Sequence, residues 1–258
     1  MEHSLNRQVI KWGNGAGVLL PREYVGQEAK IILIDRSSEI NKEVFSILQQ
    51  YLPNLLGIYL VGSYARGEQT ENSDIDIIAI SDSLKKEIHS GKYNISITPI
   101  ESIRKTLEKH PILVYPRLLE AKSLLNNSLL EELKKTSPKK SDFNSFIEDT
   151  KRIIKIDNEF LELDSQEGDY LKSYTIVYST ILRLRGILII KCILEKKSYT
   201  NKLFKSWLLK YVNEKVFEDI YSVYQIIKED KKPNSKIKIE DIKKLTMLLE
   251  NEVKHYGK

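Results

Sequence analysis

Residues 57–80 read GIYLVGSYARGEQTENSDIDIIAI. The opening run, Ile58 to Val61, is apolar and β-prone and breaks at Gly62-Ser63, the pattern of a buried strand feeding a tight turn. A glycine there lets the backbone bend close to a ligand. The amides of such a turn, leading into a short helical segment, form a concavity suited to phosphate. Further on come Asp74 and Asp76. If residues 73–80 form a strand, both carboxylates project from one face while Ile75 and Ile77 face the other. Neighbouring acids repel unless a cation lies between them, and hard oxygen ligands beside a phosphate favour Mg²⁺. A pair of such ions can activate an attacking hydroxyl and neutralise a leaving pyrophosphate, which is the apparatus of nucleotidyl transfer.

The combined pattern, Gly62-Ser63, Ala65-Arg66-Gly67 and Ser73-Asp74-Ile75-Asp76, resembles the signature of the nucleotidyltransferase superfamily related to DNA polymerase β, in its small archaeal and bacterial form. The resemblance implies that Gly62 and Ser63, with Arg66, hold a nucleoside triphosphate such as ATP. It also implies that Asp74 and Asp76 are catalytic and bind Mg²⁺ or Mn²⁺. A third carboxylate on a following strand completes the family's metal site. Here the next strand is expected over Tyr93–Pro99, YNISITP, and Ser96 stands where the acid should be. Glu101 is the nearest replacement, with the alternative that it is simply a first-turn acid of the next helix.

Two functions follow. The first is a Mg²⁺-dependent enzyme moving an NMP unit from an NTP to a hydroxyl-type acceptor whose identity the sequence does not select. The second is a weakly active or inactive nucleotide-binding regulator, antitoxin-like or associated with DNA, supported by Ser96.

The chain has 258 residues, 41% hydrophobic and 30% charged, an ordinary globular balance. Cys192 lies in an apolar run and reads as a small buried hydrophobe, so no disulfide framework is expected and a reducing compartment fits. Residues 1–15 lack the apolar core of a signal peptide, and Arg183, Arg185 and Lys191 interrupt the best apolar stretch. The expectation is a cytoplasmic protein with no membrane partner. Residues 1–138 hold 17 basic and 17 acidic side chains, and residues 139–258 hold 24 and 19, so the net charge of +5 belongs to the C-terminal half. Seven lysines between Lys191 and Lys215 could steer a polyanion or form a solvated helix face.

Residues 5–35 have their own character, with short β-type runs over 7–12 and 29–34 flanking a glycine turn and a GVLLP segment. They are similar to the swapped-hairpin β modules of AbrB/SpoVT-type DNA-binding proteins. That resemblance implies a homodimer, because one copy is too small to bury a core. Nucleic acid is the less favoured partner, since the first 35 residues carry four basic and four acidic side chains.

Ser37-Ser38 then precede a helical pattern carrying Ile40, Val44, Ile47, Leu48 and Tyr51, ended by Pro53. A short helix is expected over 84–89, and helix broken at Pro111 and Pro116 over 100–133. Beyond a polar boundary at 136–141, helices are expected over 143–158, 170–194, 202–227 and 239–255, a bundle similar to the helical domains that follow small nucleotidyltransferase cores. The fold class is α+β: a small β module (1–36), a polymerase β-like core with a mixed sheet flanked by helices (37–136), and a C-terminal helical bundle (141–258). Arg183 and Arg185 sit in the most apolar helix and cannot share one face. An interhelix ion pair and a ligand contact are both open to them, and Tyr170, Tyr174, Tyr178 and Tyr199 crowd nearby.

Overall fold

In the computed structural model the described residues are Leu5, Arg7, 9–31, 39–71 and 73–256. The chain divides into two compact units, one comprising Met1–Ile103 and Ala121–Leu133, the other Arg104–Glu120 and Lys134–Lys258.

In the first unit, β1 (Ile10–Trp12) pairs antiparallel with β2 (Gly15–Gly17) across a turn at Gly13, whose φ is +57°. The second strand of this module therefore follows the glycine turn directly, and the expected strand over 29–34 is not formed at 29–31; 32–34 lie outside the described residues, as do Ser37 and Ser38. The Gly-Asn-Gly dipeptides favour the positive φ of a tight hairpin, and that local geometry decides the pairing. A single 3₁₀ turn, Arg22–Tyr24, follows Pro21.

Helix α1 (Glu39–Ile47) buries Val44 and Phe45, and Leu48 follows them into the core. It ends at Ile47, before Pro53, which sits inside a 3₁₀ segment, Gln49–Asn54. Strand β3 (Leu55–Val61) leads into the short helix α2 (Gly62–Arg66), and then come β4 (Ile75–Ser81), β5 (Lys86–Ser90) and β6 (Tyr93–Pro99). Helix α3 (Ile100–Lys109), α4 (Tyr115–Glu120), strand β7 (Lys122–Leu125) and α5 (Asn127–Lys134) follow. The sheet is mixed and five-stranded in the order β5-β6-β4-β3-β7; β4 and β6 are parallel and every other pair is antiparallel. One face of β4, Ile75, Ile77 and Ala79, joins Ile95 and Ile97 of β6 and Val44 and Leu48 in the core.

Two expectations are corrected here. Residues 86–90 form an edge strand instead of a helix, and 122–125, inside the stretch expected to be helical, form the fifth strand. Both are short; β7 pairs with β3, about sixty residues earlier, while β5 forms a hairpin with β6 across Gly91-Lys92, its mostly polar composition giving little strand preference of its own. The edge strand is charged and largely exposed, as an unpaired sheet edge requires.

The second unit is built on α6 (Asn144–Glu167), α7 (Thr175–Leu194), α8 (Asn201–Leu208), α9 (Glu214–Lys228) and α10 (Ile239–Tyr256). Helix α7 is buried along most of its length, through Ile176, Val177, Ile181, Leu184, Ile187 and Ile190. Any side chain at Gly186 would collide with the Phe146 ring, so glycine permits the close approach of α6 and α7.

Helix α7 begins at Thr175, five residues later than expected, and Asp164 explains why. Its carboxylate accepts from the backbone N–H of Lys172 and of Ser173, both at 2.8 Å, and from Ser173 Oγ at 3.0 Å, which stops the chain from being helical there. The continuous helix expected over 202–227 is two helices. Thr200 caps α8 by accepting from Leu203 N–H, and Asn213 caps α9 by accepting from Val216 N–H at 2.9 Å. Helix α6 runs on to Glu167, past the expected end at 158. Among the described residues no helix is long and apolar enough to cross a membrane.

Candidate active site

The chain leaves β3 at Val61, in register with Asp76 on β4. Gly62 then turns with φ +71°, a conformation that L side chains rarely adopt. A Cβ at this position would lie 2.5 Å from Asp76 Oδ2 and 3.3 Å from its Cγ, so the bend is pressed against that carboxylate. The glycine is needed twice, for its dihedral angle and for the space. Helix α2 starts at this bend, and its N-cap residue, Val61, has no side chain able to cap it. Ala65 anchors it in the core, and Gly67, at φ +72°, ends it by donating to Ser63 O.

Between α2 and β4 the loop is tied by Thr70 and Ser73: Thr70 N–H donates to Ser73 Oγ at 2.8 Å, and Ser73 N–H to Thr70 O at 3.0 Å. Ile75 N–H then donates to Lys92 O at 2.7 Å and starts the strand. Asp74 is exposed just ahead of β4, and Asp76 is half-buried within it. Gly62, Ser63, Asp74 and Asp76 thus gather at one end of β3 and β4. Arg66 is half-buried close by, but its Nε donates to Glu68 Oε2 at 2.9 Å. Binding a phosphate there requires exchanging that carboxylate for the ligand.

Strand β6 carries the third position, and its register is informative. Asn94, not Ser96, lies opposite Asp76 in the parallel ladder, while Ser96 is paired with Ile78. Asn94 Oδ1 meets His89 Nδ1 at 2.8 Å, and Ser96 Oγ donates to Glu87 Oε1 at 2.7 Å. Both partners come from β5, in the register His89↔Asn94 and Glu87↔Ser96. Paired residues share a sheet face, so Asp76, Asn94 and His89 form one polar row, with Ser96 and Glu87 in the next. Glu101 is exposed in the first turn of α3, beyond Pro99. The five steps along the strand from Asn94 to Pro99 span about 16 Å, so Glu101 is not brought to the pair. Sequence reasoning missed Asn94, Glu87 and His89; the alternation of β5 was the one signal that could have found the last two.

Among the described residues no group of three or more His, Cys, Asp or Glu is placed to hold a metal ion. Two carboxylates, one of them against the Gly62 bend, still suit a hard divalent cation whose other ligands are phosphate oxygens and water. Tyr93, at the start of β6, is held un-ionised by burial and by a hydrogen bond to Glu43, so it closes this end of the core as a neutral phenol.

The nucleotidyltransferase domain family matches residues 41–162, which include every residue of this constellation. A Methanocaldococcus jannaschii protein named "Putative protein adenylyltransferase" is 34% identical over 110 residues, 42% of this chain and 75% of that protein. The chain belongs to the nucleotidyltransferase domain family. It is therefore a transferase that takes a nucleotide substrate. Two solved structures resemble this nucleotidyltransferase at low identity. Spectinomycin adenyltransferase AAD(9) from Enterococcus faecialis, solved with ATP and spectinomycin, is 17% identical, with a TM-score of 0.43 over 83% of this chain and 97% of that one. A nucleotidyltransferase-like protein from Exiguobacterium sibiricum is 13% identical, with a TM-score of 0.38 over 83% and 73%. Residues 1–37 match a separate family described as "Putative transposon-encoded protein (DUF2080)".

Proposed function

We propose that this nucleotidyltransferase moves an adenylyl group from ATP onto a hydroxyl of an acceptor, with a protein side chain as the acceptor class that the Methanocaldococcus jannaschii relative's name favours. In this reading Gly62 and Ser63 receive the triphosphate, Arg66 joins them by leaving Glu68, and Asp74 and Asp76 hold Mg²⁺ or Mn²⁺. The observation that carries it is the contact of the Gly62 bend with the Asp76 carboxylate, which brings a strand-to-helix turn and an acid to one point.

The acceptor hydroxyl oxygen forms a bond to the α-phosphorus as the bond from that phosphorus to the β-bridging oxygen breaks; the hydroxyl proton passes to solvent and pyrophosphate leaves. When bound, the divalent ion supplies charge neutralisation for the phosphates. The chain's own residues supply position: the α2 amides orient the phosphates, Asp76 is fixed by strand pairing, and Asn94 offers a neutral amide beside it.

The domain reading of 1–36, 37–136 and 141–258 belongs to this proposal. The N-terminal module is read as AbrB-like and dimer-forming, with DNA contact as its lesser role. Its support is the exposure of Trp12 (63%), Val25 (82%) and Ile31 (63%), large apolar side chains that a second copy would cover. A second reading of the whole, a nucleotide-binding regulator with weak turnover, draws on the neutral Asn94 and Ser96 of β6.

Incubation with α-labelled ATP and Mg²⁺ or Mn²⁺ separates the two readings. Label transfer to protein with pyrophosphate release supports the enzyme. Tight ATP binding without pyrophosphate release sinks it in favour of the regulator.

A further inference from the structure

The order of the strands gives the candidate site two sides. Asp76 lies on β4, with β3 and the Gly62 bend on one side and β6, then β5, on the other. In an in-line displacement the attacking and leaving oxygens stand on opposite sides of the phosphorus. A triphosphate held at the Gly62 bend sends its pyrophosphate towards β3. The incoming hydroxyl therefore crosses β6 and β5.

On that side the row that begins at Asp76 continues through Asn94 to His89. Asn94 carries a neutral amide, which cannot take up a proton. His89 carries an imidazole, and its tautomer follows from its neighbour. Nδ1 lies 2.8 Å from Asn94 Oδ1, an atom that can only accept, so the ring hydrogen of neutral His89 sits on Nδ1 and Nε2 keeps its lone pair. Neighbouring strands are about 4.8 Å apart, which places the backbones of His89 and Asp76 about 10 Å from each other. That span leaves room for a phosphate and a hydroxyl between the two side chains.

The nearby groups are otherwise engaged or turned away. Glu87 stands one row further along, opposite Ser96, and its Oε1 accepts from Ser96 Oγ at 2.7 Å. Lys86 lies on the other face of β5, where its Nζ donates to Tyr51 Oη at 2.7 Å. His89 itself is exposed on an edge strand, a position that a hydroxyl carried on a large molecule can reach.

With the transferase reading above as its basis, we infer that His89 is the general base of the reaction and Asn94 the residue that positions it. Nε2 takes the proton of the incoming hydroxyl as that oxygen bonds to the α-phosphorus and the bond to the β-bridging oxygen breaks. The imidazolium, its Nδ1–H still bonded to Asn94, then releases the proton to solvent. A histidine on the edge strand thus serves this chain where Asn94 and Ser96 of β6 supply no base.

Two measurements test the assignment on the full chain. Nitrogen-15 NMR of the neutral imidazoles should show, for the ring whose signals vanish in His89→Ala, a protonated Nδ1 and a bare Nε2. Asn94→Ala should return that ring to a mixture of tautomers and slow labelling from α-labelled ATP several-fold. His89→Ala and His89→Gln should each slow labelling by about a hundredfold or more with ATP affinity unchanged, and free imidazole should restore part of the rate of His89→Ala.

A protonated Nε2 in the neutral wild-type ring overturns the inference. So does a His89→Ala variant that loses ATP binding, which marks a structural role. If both His89 variants label at the wild-type rate while Asp76→Ala does not label, this inference alone fails. If Asp76→Ala also labels as the wild type does, or if the wild type transfers no label, the transferase reading fails and takes this inference with it.

Discussion

The polar residues of the sheet end and those of the helical unit differ in what they are for. In the helical unit the buried acids are consumed by the fold. Asp164 takes two backbone amides and a hydroxyl, and Asp157 accepts from Ser179 Oγ at 2.6 Å and Thr180 Oγ1 at 3.5 Å. Lys191 pairs with Glu252, and Lys205 with Glu214 and Glu218, so part of the lysine-rich stretch is structural. At the sheet end Asp74 is exposed, Asp76 is half-buried, and the acid is crowded by a bend that only glycine can make. A charge therefore reads as structural when its bonds hold backbone or helices in place, and the sheet-end pair, gathered at a glycine bend, does not serve the packing in that way. Arg183, bonded to Asp149, is structural in the same sense.

The sharpest break of that comparison is Asp76→Ala. Loss of a carboxylate proposed to hold the divalent ion should lower ATP-dependent labelling by about a thousandfold or more, while the thermal midpoint moves by only a few degrees. Labelling that survives at the wild-type rate would place the chemistry elsewhere.

Gly62→Ala comes next. It imposes a left-handed dihedral on a residue with a side chain and pushes its methyl against Asp76. A stability loss of about 1–3 kcal/mol is expected in urea denaturation, accompanied by weaker ATP binding. An alanine variant with wild-type stability and affinity would show that the bend relaxes without consequence.

The smallest effect tests the structural side. Burial raises the Asp157 carboxyl to about 6 from its usual value of 3.8, against the opposing hydrogen bonds of Ser179 and Thr180 and the charge of Arg183. The folded state holds the proton more tightly than the unfolded state. Stability from this group is therefore full below pH 4, declines as pH rises towards 6, and is lost above it. Relative to the wild type, Asp157→Asn should gain on the order of 2 kcal/mol between pH 4 and pH 7. A difference in unfolding free energy that does not change with pH would show that Asp157 ionises normally.

Much of the first site was legible because it is local. The run into Gly62, the spacing to Asp74 and the alternation through Asp76 are properties of a short continuous stretch, and β3, α2 and β4 form there. Strands β5 and β7 were not legible, since four or five residues of mixed polarity carry no preference strong enough to override what they pair with. The break between α8 and α9 was missed for a related reason. Helical spacing continues across 209–213, but α8 stops at Leu208 and the Asn213 cap starts α9 afresh, and a cap is recognised by the bond it makes.

Sequence alone determined that a glycine bend and two aspartates share one neighbourhood and that a helical unit follows, because backbone preference and side-chain periodicity act over a few residues. Only the tertiary structure decided that Asn94 instead of Ser96 faces Asp76, that Glu87 and His89 reach the same sheet face, and that Arg183 finds an acid while Arg185 finds tyrosines. Those outcomes depend on strand register and on which helix faces meet. Both are set by burying a shared core, to which every distant segment contributes at once.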